Sequence, residues 1–381
     1  MGIMRALVAG ICFYVVVLGV LRTTAAYIDE DESNLGYVPE DLLSEERINN
    51  LFSSWQIRHG KSYVDEPEKL HRMKVFKDNL FYIHAHNSKD SSFKMGLNEF
   101  SDLTFEEFSD TMLMKKWDEE EEIDLIDRNL SPRIIRYGDD GAMQRGSPAP
   151  AIDWRKKGVV NPIRSQGQCG SCWAFSAIAA VESINAIRTG QLYDLSEQEL
   201  VDCLTYMGCK GCDGGKVDSA FTFIAKDNKG IDSEEDYPYV AQQAASCDIQ
   251  KRNNRLVTID DYAYVTKNSS RALMLAVAQQ PVVVYMHASK DFKSYASGIY
   301  NGNCSGDHLN HAVVVVGYST TTKGVPYWIV RNSWATTWGE SGYVLMKQTG
   351  EDNPGVCGML RFSVYPIKNG THDSGDGRKD E

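Results

Sequence analysis

Apolar residues recur at helical spacing in the first half of this chain and at strand spacing in the second. Between Ser44 and Tyr63 the residues Ile48, Leu51, Phe52, Trp55 and Ile57 fall mostly on one face and Gly60 ends the pattern, which predicts a helix. After Pro67, a favourable first-turn residue, Glu68, Arg72, Phe76, Asn79, Ile83 and Asn87 follow one another every three or four residues and so share one stripe of a longer helix. The stripe mixes polar and apolar side chains, so it predicts buried hydrogen bonds and a Glu68–Arg72 ion pair. Trp173, Phe175, Ile178, Val181 and Ile184 predict a third helix, ending at Gly190. Ser196 as cap and Glu199 as the closing member of a capping box start another that runs to Cys203, and 217–225 reads as a further helical run. The period then changes. Residues 256–265, 282–286, 312–318, 327–330 and 342–346 are short and rich in Val, Ile and Tyr, and read as strands. A helical half followed by a strand-rich half implies an α+β fold with two subdomains.

With 381 residues, 42% hydrophobic and 24% charged, the chain can bury a sizeable core, which excludes disorder as the whole answer. A net charge of -12 argues against nucleic acid. The acidity is uneven: Lys and Arg number 17 against 27 Asp and Glu before Ser147, and 23 against 25 from there on. Residues 1–26 carry Arg5, an apolar run from Ala6 to Leu21 and a small-residue site ending in Thr24 and Ala26, which predicts a cleaved signal peptide. A membrane anchor is the competing reading, but the run is short for a span and Arg22 closes it. Secretory entry permits disulfides, and Cys12 leaves with the signal. From Lys115 the pattern dissolves into an acidic run, Asp118 to Glu122, and a stretch punctuated by Gly, Pro and Arg, which predicts a linker over 115–147. The expected partition is therefore a signal at 1–26, an N-terminal unit at 27–147 with its helices at about 44–110, a main domain at 148–368, and a polar tail at 369–381.

The stretch Gln166-Gly167-Gln168-Cys169-Gly170-Ser171-Cys172-Trp173-Ala174-Phe175 reads as a loop that ends in a helix, with Cys172 in the first turn. There the unpaired N–H groups and the helix dipole favour a thiolate, the nucleophilic form. Cys169-x-x-Cys172 and Cys209-x-x-Cys212 would also suit a structural zinc site. The Cys-Gly-Ser-Cys-Trp run resembles the signature of papain-like cysteine proteases. The Glu68 to Asn87 stripe reproduces the ERFNIN pattern of that family's propeptides, and Gly96, Asn98, Phe100 and Asp102 reproduce its GxNxFxD pattern. Leu309-Asn310-His311-Ala312-Val313 and Asn332-Ser333-Trp334 match its histidine and asparagine motifs, and Pro148 to Arg155 resembles its mature N-termini. The zinc reading would leave all of these as coincidences, so neither metal nor cofactor is expected.

The resemblance implies a helical lobe and a β-barrel-like lobe that meet along a cleft. A helical propeptide would run through that cleft against the substrate direction and inhibit until cut near Gly146 to Pro148. It implies Cys172 as nucleophile, His311 as base, Asn332 as acceptor of the His311 N–H, and Gln166 as oxyanion donor beside the Cys172 N–H. Setting aside Cys12 and Cys172 leaves an odd number of cysteines. The resemblance pairs Cys169 with Cys212, Cys203 with Cys247 and Cys304 with Cys357, which leaves Cys209 over; it is read as a free surface thiol ahead of a swap with Cys212 or an intermolecular bridge. It maps the pocket for the second residue before the scissile bond to Val217, Tyr285, Leu309 and Phe362. Gly214, Gly215 and Lys216 line its wall, and Asn310 and Trp334 the cleft. Tyr285 and Phe362 are bulkier than is usual there, so a shallow pocket for small aliphatic residues or Pro is expected. Ala335 stands where relatives usually carry Gly, which costs stability if the position needs a positive φ.

The implied function is a cysteine endopeptidase made as a secreted zymogen, acting on polypeptides in a vacuole or lysosome or outside the cell. It would be a monomer, free of the membrane after signal cleavage, held by its own propeptide and open to cystatin-type inhibitors. The alternative is a catalytically silent storage or binding homologue, against which the quartet Gln166, Cys172, His311 and Asn332 speaks. Among the N-x-[ST] sequons at Asn129, Asn268, Asn303 and Asn369, glycosylation is expected at Asn268 and Asn369. The terminal Arg378-Lys379-Asp380-Glu381 stops one Leu short of a KDEL retrieval signal and is read as a polar tail.

Overall fold

The structure is a computed structural model that describes residues 35–115, 148–252, 254–304 and 308–370. The signal peptide, most of the linker with its acidic run and Asn129, and the tail after Gly370 lie outside the described residues. In the N-terminal unit, helix α1 (Glu45–Arg58) starts at Ser44, whose hydroxyl accepts the Arg47 N–H, and α2 (Glu66–Asn87) starts at Asp65, which caps Glu68. Strand β1 (Phe93–Met95) and helix α3 (Phe105–Met112), opened by a Thr104–Glu107 capping box, complete it. Phe52, Trp55 and Phe76 pack ring against ring at the crossing of α1 and α2.

The polar members of the α2 stripe tie down the segment that follows. Asn79 donates to the Ser101 and Leu103 carbonyls, and Asn87 bonds both the N–H and the C=O of Met95. Arg72 lies 3.8 Å from Glu68, but its stronger partner is Glu107, whose two carboxylate oxygens are each 2.8 Å away. The expected Glu68–Arg72 pair is thus the looser half of a three-residue arrangement that joins α2 to α3.

The 148–370 region contains β2 (Ile152–Asp153), α4 (Cys172–Thr189), α5 (Glu197–Cys203), α6 (Val217–Thr222), β3 (Asp261–Tyr264), α7 (Ser270–Val277), β4 (Val282–Met286), α8 (Lys290–Lys293), β5 (Tyr295–Tyr300), β6 (His311–Thr320), β7 (Pro326–Arg331), β8 (Tyr343–Lys347) and β9 (Ser363–Ile367). The sheet order is β1-β5-β8-β7-β6-β4-β9-β3, with β2 on β6, and every pair is antiparallel except β5 with β8. The mixed α+β, papain-like class matches expectation; the sheet is unclosed, running from β1 of the N-terminal unit at one end to β3 at the other. The strand expected over 256–265 is confined to β3, with Val257 bridging to Ile231. The helical run expected over 217–225 forms as α6 and continues through a π turn to Asp227.

Alternation along β4 and β6 divides the interior in two. Val282, Val284, Met286, Val313 and Val315 face a core shared with the N-terminal unit, which contains Phe52, Phe76, Phe108, Phe292 and Trp334. Val283, Tyr285, Ala312, Val314 and Val316 face the other core, built on α4, α5 and α6. The central strands are therefore buried on both faces, and the mouth of the cleft lies where β6 begins.

Candidate active site

Two element starts and one strand end converge at this mouth. Cys172 is the first residue of α4, His311 the first of β6, and Asn332 directly follows β7. Antiparallel pairing of β6 with β7 brings the latter two together, and His311 Nε2 donates to Asn332 Oδ1 at 2.8 Å. The same oxygen accepts the Ser333 N–H at 2.9 Å, which fixes the amide. Trp334 stacks on the imidazole with ring centroids 4.5 Å apart. With Nε2 carrying the proton, the lone pair is on Nδ1, which is buried without a hydrogen-bond partner. The Cys172 sulfur faces the N–H of Ala312, the residue after His311, together with those of Trp173 and Cys172 itself.

Burial pushes the Cys172 thiol up to about 12 despite these donors, and pushes His311 down to about 4 despite the Asn332 bond. The start of α4, with its free N–H groups and helix dipole, favours a thiolate. Here desolvation by burial outweighs it for the thiol and disfavours the charged imidazole as well.

That segment occupies the cleft. Gln166, fully buried, donates through Nε2 to the Met112 carbonyl at 2.7 Å and to the Cys169 carbonyl at 2.8 Å, while its Oε1 accepts the Ser333 hydroxyl at 2.6 Å. Met114 N–H donates to the Asn310 carbonyl and Lys115 N–H to the Asp213 carbonyl. Phe108 of α3 meets Trp334 edge to face at 5.1 Å and Phe100 does so at 5.9 Å, so two aromatic rings cover the lid over His311.

Of the expected pocket residues, Val217, Tyr285, Leu309 and Phe362 share one buried cluster with Met114 and Cys172. The Tyr285 hydroxyl accepts the Val217 N–H at 2.7 Å, and Phe362 stands edge to face on Tyr285 at 5.0 Å. A Cβ at Gly215 would lie 2.5 Å from the Trp173 indole, so that wall position admits only glycine. The Asn310 side chain turns away to Ala288 and offers the cleft only its carbonyl, and the Lys216 N–H is engaged by Cys209.

The disulfides Cys169–Cys212, Cys203–Cys247 and Cys304–Cys357 form as expected, and the first removes two of the four thiols a zinc array would need. Cys209 is free, but it is not a surface thiol: the helical-lobe core encloses it, and its sulfur accepts the Lys216 N–H. Ala335 has a φ of +59°. Of the two expected glycosylation sites, Asn268 is half-buried with a positive φ and Asn369 is exposed. Sequence reasoning missed Ser333, although it lies inside the quoted Asn-Ser-Trp triplet, and Met112, Phe108 and Tyr239, for which no motif signalled a role.

Residues 148–367 match the papain family cysteine protease domain, and residues 52–108 match the cathepsin propeptide inhibitor domain. The chain is 44% identical to vignain of Vigna mungo over 87% of its own length and 88% of that protein's. It is 43% identical to a thiol protease of Hemerocallis over 91% of itself and 94% of the relative. Among solved structures, the proform of the ragweed pollen cysteine protease Amb a 11 superimposes with a TM-score of 0.77 at 37% identity, covering 88% of this chain and 99% of that one. The recombinant stem bromelain precursor gives 0.72 at 36% identity, covering 84% and 99%. The chain belongs to the papain family of cysteine proteases, and ahead of its protease domain it carries that family's inhibitory propeptide.

Proposed function

We propose that this protease is an endopeptidase whose chemistry rests on Cys172, His311, Asn332 and Gln166, and that the arrangement described above is its latent form. The observation that carries the reading is the 2.7 Å bond from Gln166 Nε2 to the Met112 carbonyl. The amide suited to an oxyanion already holds a carbonyl of the inhibitory segment. Removing that segment opens the cleft to water, and the desolvation that keeps the thiol and imidazole neutral falls away. The Cys172 proton then passes to His311 Nδ1, and Asn332, still holding Nε2–H, orients the imidazolium. The thiolate attacks a peptide carbonyl carbon, and the developing oxyanion takes the Gln166 amide and the Cys172 N–H as donors. The C–N bond breaks as His311 gives its proton to the leaving amine, and water, deprotonated by His311, hydrolyses the thioester to release the acid and restore the thiol. Tyr285, fixed by Val217 and backed by Phe362, supports a shallow pocket for small aliphatic residues or Pro. Three disulfides support maturation in the secretory pathway.

The test is Cys172→Ala. The variant precursor is expected to fold with an unchanged Tm and to show no peptide hydrolysis after acid treatment. Hydrolysis retained at the wild-type rate overturns the assignment of Cys172 as nucleophile, whereas a matured wild-type protein that itself hydrolyses no peptide leaves the silent-homologue reading in its place.

A further inference from the structure

Tyr239 belongs to none of the elements that form the cleft, yet its hydroxyl lies between the two loop residues on which the chemistry depends. The phenol donates to the Gln166 backbone carbonyl at 2.7 Å, and the Ser171 hydroxyl, 2.6 Å away, donates to the phenol oxygen. Ser171 is the N-cap of α4, but its side chain makes no cap hydrogen bond and turns to Tyr239 instead. The Tyr239 ring meets Phe175, on the first turn of α4, edge to face at 4.7 Å. Its backbone is held as well. The Tyr239 N–H donates to Glu234 at 2.9 Å, Glu234 pairs with Arg164 at 3.2 Å, and the next N–H, that of Val240, donates to Gln198 at 2.9 Å. Gln166 is thus gripped from two sides, with Ser333 holding its side-chain oxygen and its N–H, and Tyr239 holding its carbonyl.

We propose that Tyr239 is a positioning residue for peptide hydrolysis, keeping the Gln166 amide in register with Cys172 through the chain Ser171 Oγ–H, Tyr239 O–H, Gln166 C=O. The proposal rests on the oxyanion role assigned to Gln166 above. A small displacement of a preorganised donor reduces turnover without weakening substrate binding, because the donor acts on charge that develops only in the transition state.

The experiment compares Tyr239→Phe, Gln166→Ala, the double variant and Ser171→Ala. All are made as the full precursor and matured, and their active sites are counted with a thiol-directed epoxide. Tyr239→Phe keeps the ring on Phe175 and is expected to lower kcat per titrated site about tenfold with KM within about twofold. Added to Gln166→Ala, it changes kcat by less than about twofold, because its effect passes through Gln166. Ser171→Ala lowers kcat by less than Tyr239→Phe does, in the wild-type background but not in Gln166→Ala. A wild-type kcat for Tyr239→Phe, a change in KM alone, or an equal loss in both backgrounds overturns the proposal. If Gln166→Ala itself retains the wild-type kcat, the oxyanion reading falls and this inference falls with it. If Tyr239→Phe gives no titratable sites, Ser171→Ala in the two Gln166 backgrounds decides by the same criterion.

Discussion

Ala335 holds a left-handed backbone, φ +59°, immediately after Trp334, the ring stacked on His311. An L side chain occupies that region at a cost of about 1 kcal/mol, and glycine occupies it freely. Ala335→Gly is therefore expected to stabilise the protease by about 1 kcal/mol, a rise of roughly 2–4 °C in Tm for a domain of this size, and thermal unfolding checks it. An unchanged or lower Tm would show that the left-handed backbone at position 335 costs the protease nothing. The pocket makes a second residue-scale test. Tyr285 is fully buried and fixes Val217 through its hydroxyl, so its ring sets the depth available to a substrate side chain. Tyr285→Ala is expected to raise kcat/KM for peptides with Phe at the second position before the cleaved bond about tenfold relative to Val, as a fluorogenic peptide library would report. A library led by Phe or Arg for the wild-type enzyme refutes the shallow pocket. Residues with a chemical signature were legible from the sequence: the Cys172 motif, the His311 and Asn332 motifs, and the departure at Ala335. Tyr239 and Ser333 were not, because a hydroxyl that acts by holding a backbone carbonyl or an amide leaves no pattern along the chain.

At the scale of elements, α2 was readable because its polar stripe sits at strict helical spacing, and its members bond to backbone in the segment that follows. Strands β5 and β9 were not readable. β5 carries Gly298 at φ +86° and lacks a clean apolar alternation, while β9 contains Pro366, which argues against a strand. Pro366 is tolerated because β4 pairs only with the start of β9, at Ser363 and Val364. β5 is held between β8 and β1 of the propeptide, and the second of these pairings is invisible until the two units are placed together. The hold of the propeptide also has a pH response with a definite sign. Desolvation alone would raise the Glu107 carboxyl, but the Thr104 N–H and Arg72 outweigh it and hold it below the ordinary value of 4.5. A depressed folded-state value contributes stability that is present above pH 4.5 and lost as pH falls through the depressed value. Losing the Arg72–Glu107 link frees α3, whose end delivers Met112 and Met114 to the cleft. Glu107→Gln is thus expected to speed maturation of the precursor near pH 5 and to flatten its acceleration at lower pH, read as the rate of mature protease appearance against pH. An unaltered pH profile counts against this link as a latch.

At the scale of the whole molecule, acid acts in opposite directions on Glu107 of the inhibitor and on the buried glutamates of the helical lobe. Glu182 of α4 lies in the helical lobe, where burial pushes its carboxyl up to about 7 against the attraction of Arg331, which comes from β7 of the strand lobe. Glu199 is likewise pushed up to about 7 by burial, and Glu197, paired with Arg164, is raised well above its ordinary value. A carboxyl whose folded value is raised contributes stability that is complete below pH 4.5 and is lost as pH rises through about 7. These three carboxyls therefore stabilise the protease body over the interval in which Glu107 approaches its own loss, so acid that loosens the Arg72–Glu107 link is expected to leave the helical lobe folded. For Glu182 the shift corresponds to a contribution on the order of 3 kcal/mol between pH 7 and 4.5. Glu182→Gln keeps an oxygen to accept the Leu195 N–H but cannot titrate. The matured wild-type enzyme, inactivated by a thiol-directed epoxide to prevent self-digestion, is expected to show a Tm that climbs as pH is lowered from 7 to 4.5, and the Glu182→Gln enzyme a shallower climb. Equal slopes for the two would place the acid stability of this protease elsewhere than in Glu182.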